Sequence, residues 1–378
     1  MKGARIRPLV RLPTLTDTRR VCDLRRDRSV GLLGAFACSI PSDRAAFERG
    51  AMRKPLLLAL IAASSIGTGT CGRDERGSGP IERRHSDLSG ASREDINVFV
   101  VDDDLADCPK ADFTSIQAAV TAAAAGDRIL VCAGTYHEQV TVSTALKNDL
   151  TIVAKGKPGE VIVIAHGHDA GFLVLNTSGV TIEGFRVEHA HEADIELVHA
   201  TFATIRENVL SASGHDGIEL LASDDNLIEH NVSIDNPAAN ACGINLAAGS
   251  RRNLVRHNML VHNEWGIQIA GGLDNVIFDN GSLRNRGNGI RNVGGASGTM
   301  IENNRAFENG LTPGPLTGAT AAGIRIGSGA NVVVARNHAF DNLVVDLRSD
   351  VTTATFENNH CNTSSPLGLC EHDEGEGH

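Results

Sequence analysis

One four-residue pattern recurs at a nearly fixed interval after residue 170. It reads Gly-Ile-x-Leu in varied form: Gly171-Phe172-Leu173-Val174, Asp194-Ile195-Glu196-Leu197, Gly217-Ile218-Glu219-Leu220 and Gly243-Ile244-Asn245-Leu246. It continues as Gly266-Ile267-Gln268-Ile269, Gly289-Ile290-Arg291-Asn292, Gly323-Ile324-Arg325-Ile326 and Asp346-Leu347-Arg348-Ser349. The successive steps are 23, 23, 26, 23, 23, 34 and 23 residues. A unit this short cannot bury an apolar face alone, so a fixed period of this size implies a solenoid in which each coil covers its neighbour. Short alternating apolar runs with Gly, Asn and Asp between them predict β coils rather than helical ones. The two long steps carry loop insertions at residues 237–240 and 310–321.

Asparagine follows the same period. Asn208, Asn231, Asn258, Asn280, Asn304, Asn337 and Asn359 share one phase, each three residues after an apolar position. A second series, Asn236, Asn263, Asn285, Asn309 and Asn342, lies five residues later. Parallel strands stack about 4.8 Å apart, so equivalent amides are expected to form hydrogen-bonded ladders. Asn is also expected to occupy left-handed corners. Phe185 fills the slot before Asn208 and is expected to close one end of that ladder by packing. Composition agrees with a stacked aliphatic core: there are 40 Gly, eleven Phe, one Tyr and one Trp.

The expected architecture is an all-β, right-handed, single-stranded parallel β-helix with an N-terminal capping helix. Its coils run from about Val140 within a domain spanning 98–361. Thr114-Ser115-Ile116-Gln117-Ala118-Ala119-Val120 predicts the helix, ended by Gly126, with a strand over 127–132 and a turn over 134–138. Residues 1–51 form a basic leader or a mis-assigned start. Residues 52–71 resemble a signal peptide, with Arg53 and Lys54 before an apolar run too short to span a bilayer. Cys71, after Thr68-Gly69-Thr70, offers a lipoprotein alternative. Residues 72–97 read as a flexible linker and 362–378 as an acidic tail. The expected location is secreted, periplasmic or extracellular, with no transmembrane span. Cys108 with Cys132, and Cys361 with Cys370, bracket local segments as disulfides of an oxidising compartment would. The formal net charge is −11 although the first 51 residues are basic, so the acidic body argues against a nucleic-acid partner. The oligomeric state stays open.

Phe113-Thr114-Ser115-Ile116-Gln117-Ala118-Ala119-Val120, Gly126-Asp127-Arg128-Ile129-Leu130-Val131 and Gly134-Thr135-Tyr136-His137-Glu138 together resemble the opening of pectin-lyase-like right-handed β-helix proteins. The later repeats resemble the carbohydrate-binding and sugar-hydrolase repeat group. They are also similar to the periplasmic accessory protein of nitrous-oxide reductase maturation. The resemblance implies the fold over residues 98–361 and little about activity, because this fold hosts unrelated chemistries. Gly134, Tyr136 and Glu138 match an element of pectin methylesterases, whose catalytic segments have no counterpart here.

No strong catalytic motif is present. In an alternating strand the x position of Gly-Ile-x-Leu points outward, giving the column Leu173, Glu196, Glu219, Asn245, Gln268, Arg291, Arg325 and Arg348. Like charges stack at both ends, which is unfavourable unless something screens them. Corner residues His189, His191, Glu192, His215 and Asp216 enlarge the acidic end. A solvated charged face is the plainer reading. The functional one is an elongated groove for a polysaccharide or cell-surface glycan. In it Glu192, Glu196, His215, Asp216 and Glu219 are the catalytic candidates. His189, His191, Asn245, Trp265, Gln268, Arg291 and Arg325 are the ligand-binding candidates. Trp265 is expected at an exposed corner. If the chain is an enzyme, a polysaccharide lyase or glycoside hydrolase is expected. A lyase would call for calcium. Asp102, Asp103 and Asp104 are the candidate ion ligands, against the plainer reading of an acidic turn. Asp224-Asp225 reads as a solvated corner pair. The alternatives are a structural or adhesive surface protein and an accessory protein for metalloenzyme maturation.

Overall fold

The computed structural model describes residues 96–236, 238–311 and 321–371. The leader, the signal-like segment, all of the linker before residue 96, and the tail after 371 lie outside the described residues. The described chain forms three parallel sheets of eleven, ten and ten strands. The first starts at Val98–Val101, the second at Gly134–Tyr136 and the third at Val140–Ser143. The chain visits them in rotation, so each strand pairs with the strand one coil earlier and one coil later. The third sheet carries Gly-Ile-x-Leu and is called the motif sheet below.

The stack begins earlier than Val140. Val98–Val101 pairs in parallel with Arg128–Cys132, which pairs with Thr151–Lys155. The expected turn at Gly134–Glu138 opens with a strand instead, Gly134–Tyr136, because Thr135 and Tyr136 suit extended backbone and pair with Ile162 and Val163. At the other end Ser364–Ser365 adds a last motif-sheet strand beyond residue 361. Inside, Ile182, Ile205, Ile228, Val255, Ile277, Ile301 and Val334 are fully buried in one file, and the motif sheet contributes Ile218, Ile244, Ile267, Ile290 and Ile324.

The first asparagine ladder is continuous. Asn208, Asn231, Asn258, Asn280, Asn304 and Asn337 each donate Nδ2 to Oδ1 of the next member at 3.0–3.1 Å, ending at Asn359. Phe185 closes the near end through its backbone N–H, which donates to Asn208 Oδ1. In the second ladder Asn342 Nδ2 donates to Asp346 Oδ1, which seals the far end. Asn176, Asn240, Asn303, Asn331 and Asn358 take left-handed corners, whereas the ladder asparagines do not. That conformation belongs to the residue before each: Glu207, His230, His257, Asp279, Asn303, Arg336 and Asn358 all have φ between +51° and +58°. The bend frees a carbonyl two residues before the amide, and the buried Asn satisfies it, as Asn258 Nδ2 does with Arg256 O at 2.9 Å. A third ladder runs through Asn226, Asn253 and Asn275.

The expected capping helix is α1, Ile116–Ala122. It ends at Ala122, before Gly126. The Ser115 hydroxyl caps it, accepting from Ala118 N. The Glu138 carboxylate accepts from Ile116 N, Gln117 N and Ser115 Oγ at 2.8–2.9 Å. Here Glu138 of the Gly-x-Tyr-x-Glu element holds a helix terminus. Cys108–Cys132 and Cys361–Cys370 are disulfides, and Cys242 is a buried free thiol.

Candidate functional site

The motif sheet places its outward column in unbroken register. Leu173, Glu196, Glu219, Asn245, Gln268, Arg291, Arg325 and Arg348 are consecutive cross-strand neighbours. The first sheet shows what a purely structural column looks like. Its outward residues Glu183, Arg206, Glu229 and Arg256 alternate in sign, and Arg206–Glu183 and Arg256–Glu229 are 2.7 Å ion pairs. The motif sheet instead segregates acid from base, at a cost in cross-strand repulsion.

At the acidic end a directed hydrogen-bond relay crosses three strands. Gln268 Nε2 donates to Asn245 Oδ1 at 3.1 Å, and Asn245 Nδ2 donates to Glu219 Oε1 at 3.2 Å and to Asp216 Oδ2 at 2.9 Å. Burial lifts the Glu219 carboxyl from 4.5 to about 7, with the charges of Asp216 and Glu196 adding to the effect. Glu196 is raised too, first by burial and then by Asp169 and Glu192. Burial rather than mutual repulsion is thus the main cause for both glutamates. A carboxyl near 7 can give or take a proton at neutral pH.

Asp216 is 0% exposed and serves as a hub rather than a surface group. Its oxygens also accept from Cys242 N and lie 3.1 Å from His215 Nδ1. The Asp216 hydrogen bond raises the His215 imidazole from 6.5, against burial. Asp216 therefore positions His215 and Asn245 around Glu219.

At the basic end Arg291 stacks on Trp265, its guanidinium carbon 3.7 Å from the ring centroid. Trp265 is 4% exposed, within the strand Trp265–Ala270, and not at an exposed corner. Its ring is covered by Arg291, which is why it cannot serve as an open sugar platform. Arg291 Nε and Trp265 Nε1 are buried without a hydrogen-bond partner. Burial pulls the Arg291 pKa below its usual value, and Arg325 pushes the same way. Arg325 and Arg348 both pair with Asp350 at 2.7 Å. Arg291 has no carboxylate partner among the described residues. Asp350 carries no periodic signal in the sequence, because its pairing with Arg325 and Arg348 depends on the corner after Ser349.

His189 and His191 lie beside the column in a depression lined also by His166, Asp169 and Gly214. His191 Nδ1 is 3.2 Å from Glu192 Oε1 and 3.7 Å from Asp169 Oδ1. Among the described residues the three-member group of ligand atoms lying within 4.8 Å of one another is Asp102, Asp103 and Asp104, and no histidine joins it. Asp224 and Asp225 both bond Arg252, so their carboxylates fasten a corner.

A family model described as the right handed beta helix region matches residues 170–321. The chain folds as a right-handed parallel β-helix. No curated protein matches this β-helix in sequence. An alginate lyase from Paenibacillus sp. str. FPU-7 has a TM-score of 0.52 at 17% identity, over 68% of this chain and 94% of that one. The periplasmic alginate epimerase AlgG gives 0.51 at 16% identity, over 63% of this chain and 61% of its own. XylC, solved in complex with xylose, gives 0.54 at 12% identity over 70% of each chain. At these identities the similarity is one of fold. No helix among the described residues is long and apolar enough to cross a membrane, and the two disulfides fit an extracellular location.

Proposed function

We propose that the outward face of the motif sheet binds and processes an anionic extracellular polysaccharide, with Glu219 as the proton-transferring group. The observation that carries this reading is the pairing, on one column, of a carboxyl near 7 with a half-buried arginine that has no carboxylate partner among the described residues. Strands stack about 4.8 Å apart, so three steps separate Glu219 from Arg291 by roughly 14 Å along the groove. Arg291 would hold a uronate carboxylate, for which its fork geometry suits it. Asn245 and Gln268 would bond the sugars between. His215, held by Asp216, would assist Glu219 in moving the proton. Glu192, Glu196, His189 and His191 would line the far end. Two proteins of similar fold are named as acting on alginate, a uronate polymer, which supports the choice of substrate class. Export through the segment at 52–71, with or without lipidation at Cys71, belongs to the same reading.

The test is incubation of the purified chain with a panel of uronate polymers, following unsaturated product and C-5 configuration, with and without calcium. Turnover of one polymer that Glu219→Gln abolishes is the expected result. Full turnover by that variant would remove Glu219 from the role, and no change in any polymer would leave binding alone.

A further inference from the structure

The Asp102-Asp103-Asp104 turn lies at the end of the first strand, remote in sequence from every residue of the proposed groove. One ligand oxygen from each residue lies within 4.8 Å of the others. Calcium ligands sit about 2.3–2.6 Å from the ion, so oxygens on opposite sides of one ion are separated by about twice that, roughly 4.6–5.2 Å. An acidic turn alone would not require a ligand, because exposed carboxylates are solvated. Asp102, however, is 0% exposed. Its Oδ2 accepts from Cys108 N, while its Oδ1 is buried with no hydrogen-bond partner. Asp103 Oδ1 is likewise buried and unpartnered, although its Oδ2 accepts from Thr135 N. A buried carboxylate oxygen with neither donor nor cation is costly. No Lys or Arg forms an ion pair with the three carboxylates among the described residues.

We propose that Asp102, Asp103 and Asp104 bind a calcium ion that locks the N-terminal cap of the solenoid. The ion would supply the missing partner to two orphaned oxygens. It would tie the end of the first strand to the Cys132–Thr135 corner, where the second sheet begins. Calcium fits better than magnesium, because it accepts an irregular shell rich in carboxylates, whereas magnesium requires near-octahedral geometry and retains water. Binding to the folded chain alone raises stability with ligand concentration. The site is independent of the groove, so its failure would not touch the polysaccharide reading.

The experiment melts the full chain in chelator, in millimolar calcium, in equal magnesium, and in sodium chloride of matched ionic strength. The comparison is an Asp103→Asn/Asp104→Asn double variant. Asparagine keeps the acceptors for Thr135 N and Ala106 N and removes two charges. Calcium is expected to raise the melting temperature of the parent by a few degrees more than magnesium or salt. The variant is expected to lose that difference. Terbium provides a direct readout: its luminescence, sensitised by excitation of Tyr136, should appear on binding, fall as calcium competes, and be absent in the variant. A parent indifferent to calcium, an equal response to salt, or an undiminished response of the variant would each overturn the site.

Discussion

Glu219 Oε1 accepts a hydrogen bond from Asn245 Nδ2 at 3.2 Å, yet the Glu219 carboxyl stands near 7 rather than 4.5. The amide favours the charged carboxylate, so burial and the neighbouring acids outweigh it. A raised carboxyl pKa makes the folded chain hold a proton that the unfolded chain has released. Its contribution to stability therefore falls as pH rises from about 4.5 to about 7. Glu219→Gln is expected to flatten the decline in melting temperature across that window. Identical slopes in parent and variant would contradict the assignment.

Asn258 sits inside the first ladder, with bonds to Asn231, Asn280, Ile228 O and Arg256 O. Asn258→Leu keeps the branching and the number of side-chain heavy atoms, though it is bulkier, and leaves those partners unsatisfied. The expected loss is about 1–3 kcal/mol, read from denaturant unfolding of the two chains. Asn258→Leu with unchanged stability would mean the ladder contributes nothing there.

Glu138 satisfies two backbone N–H groups at the start of α1 and the Ser115 hydroxyl. Glu138→Ala is expected to cost about 1–2 kcal/mol. Hydrogen exchange should show the loss as faster exchange confined to residues 115–122. Uniform loss of protection over all three sheets would show instead that the cap and the stack unfold as one unit.

The solenoid was legible because its signal is periodic. The inward file ending in Val334, both asparagine ladders and the Glu196-to-Arg348 column all follow from one repeat. The Asn226, Asn253 and Asn275 ladder carries the same period, five residues ahead of the first. Non-periodic features escaped. The Asp350 bridge depends on a corner, and the burial of Trp265 depends on Arg291 one strand away. Left-handed residues such as Glu207 and Arg336 escaped as well, because they are not of types that favour that conformation. The pKa of Glu219 could not be read at all, since burial depends on side-chain packing rather than on register.

Arg291 is the carboxylate anchor of the proposed groove. The decisive measurement is the affinity of the chain for a uronate polymer, by calorimetry at low salt, for the parent, Arg291→Ala and the first-sheet control Arg206→Ala. Loss of a charge-assisted pair of about 1.5–3 kcal/mol predicts binding weaker by at least tenfold for Arg291→Ala, with Arg206→Ala unchanged. Equal affinity of the parent and Arg291→Ala, or a larger loss for Arg206→Ala, would contradict it.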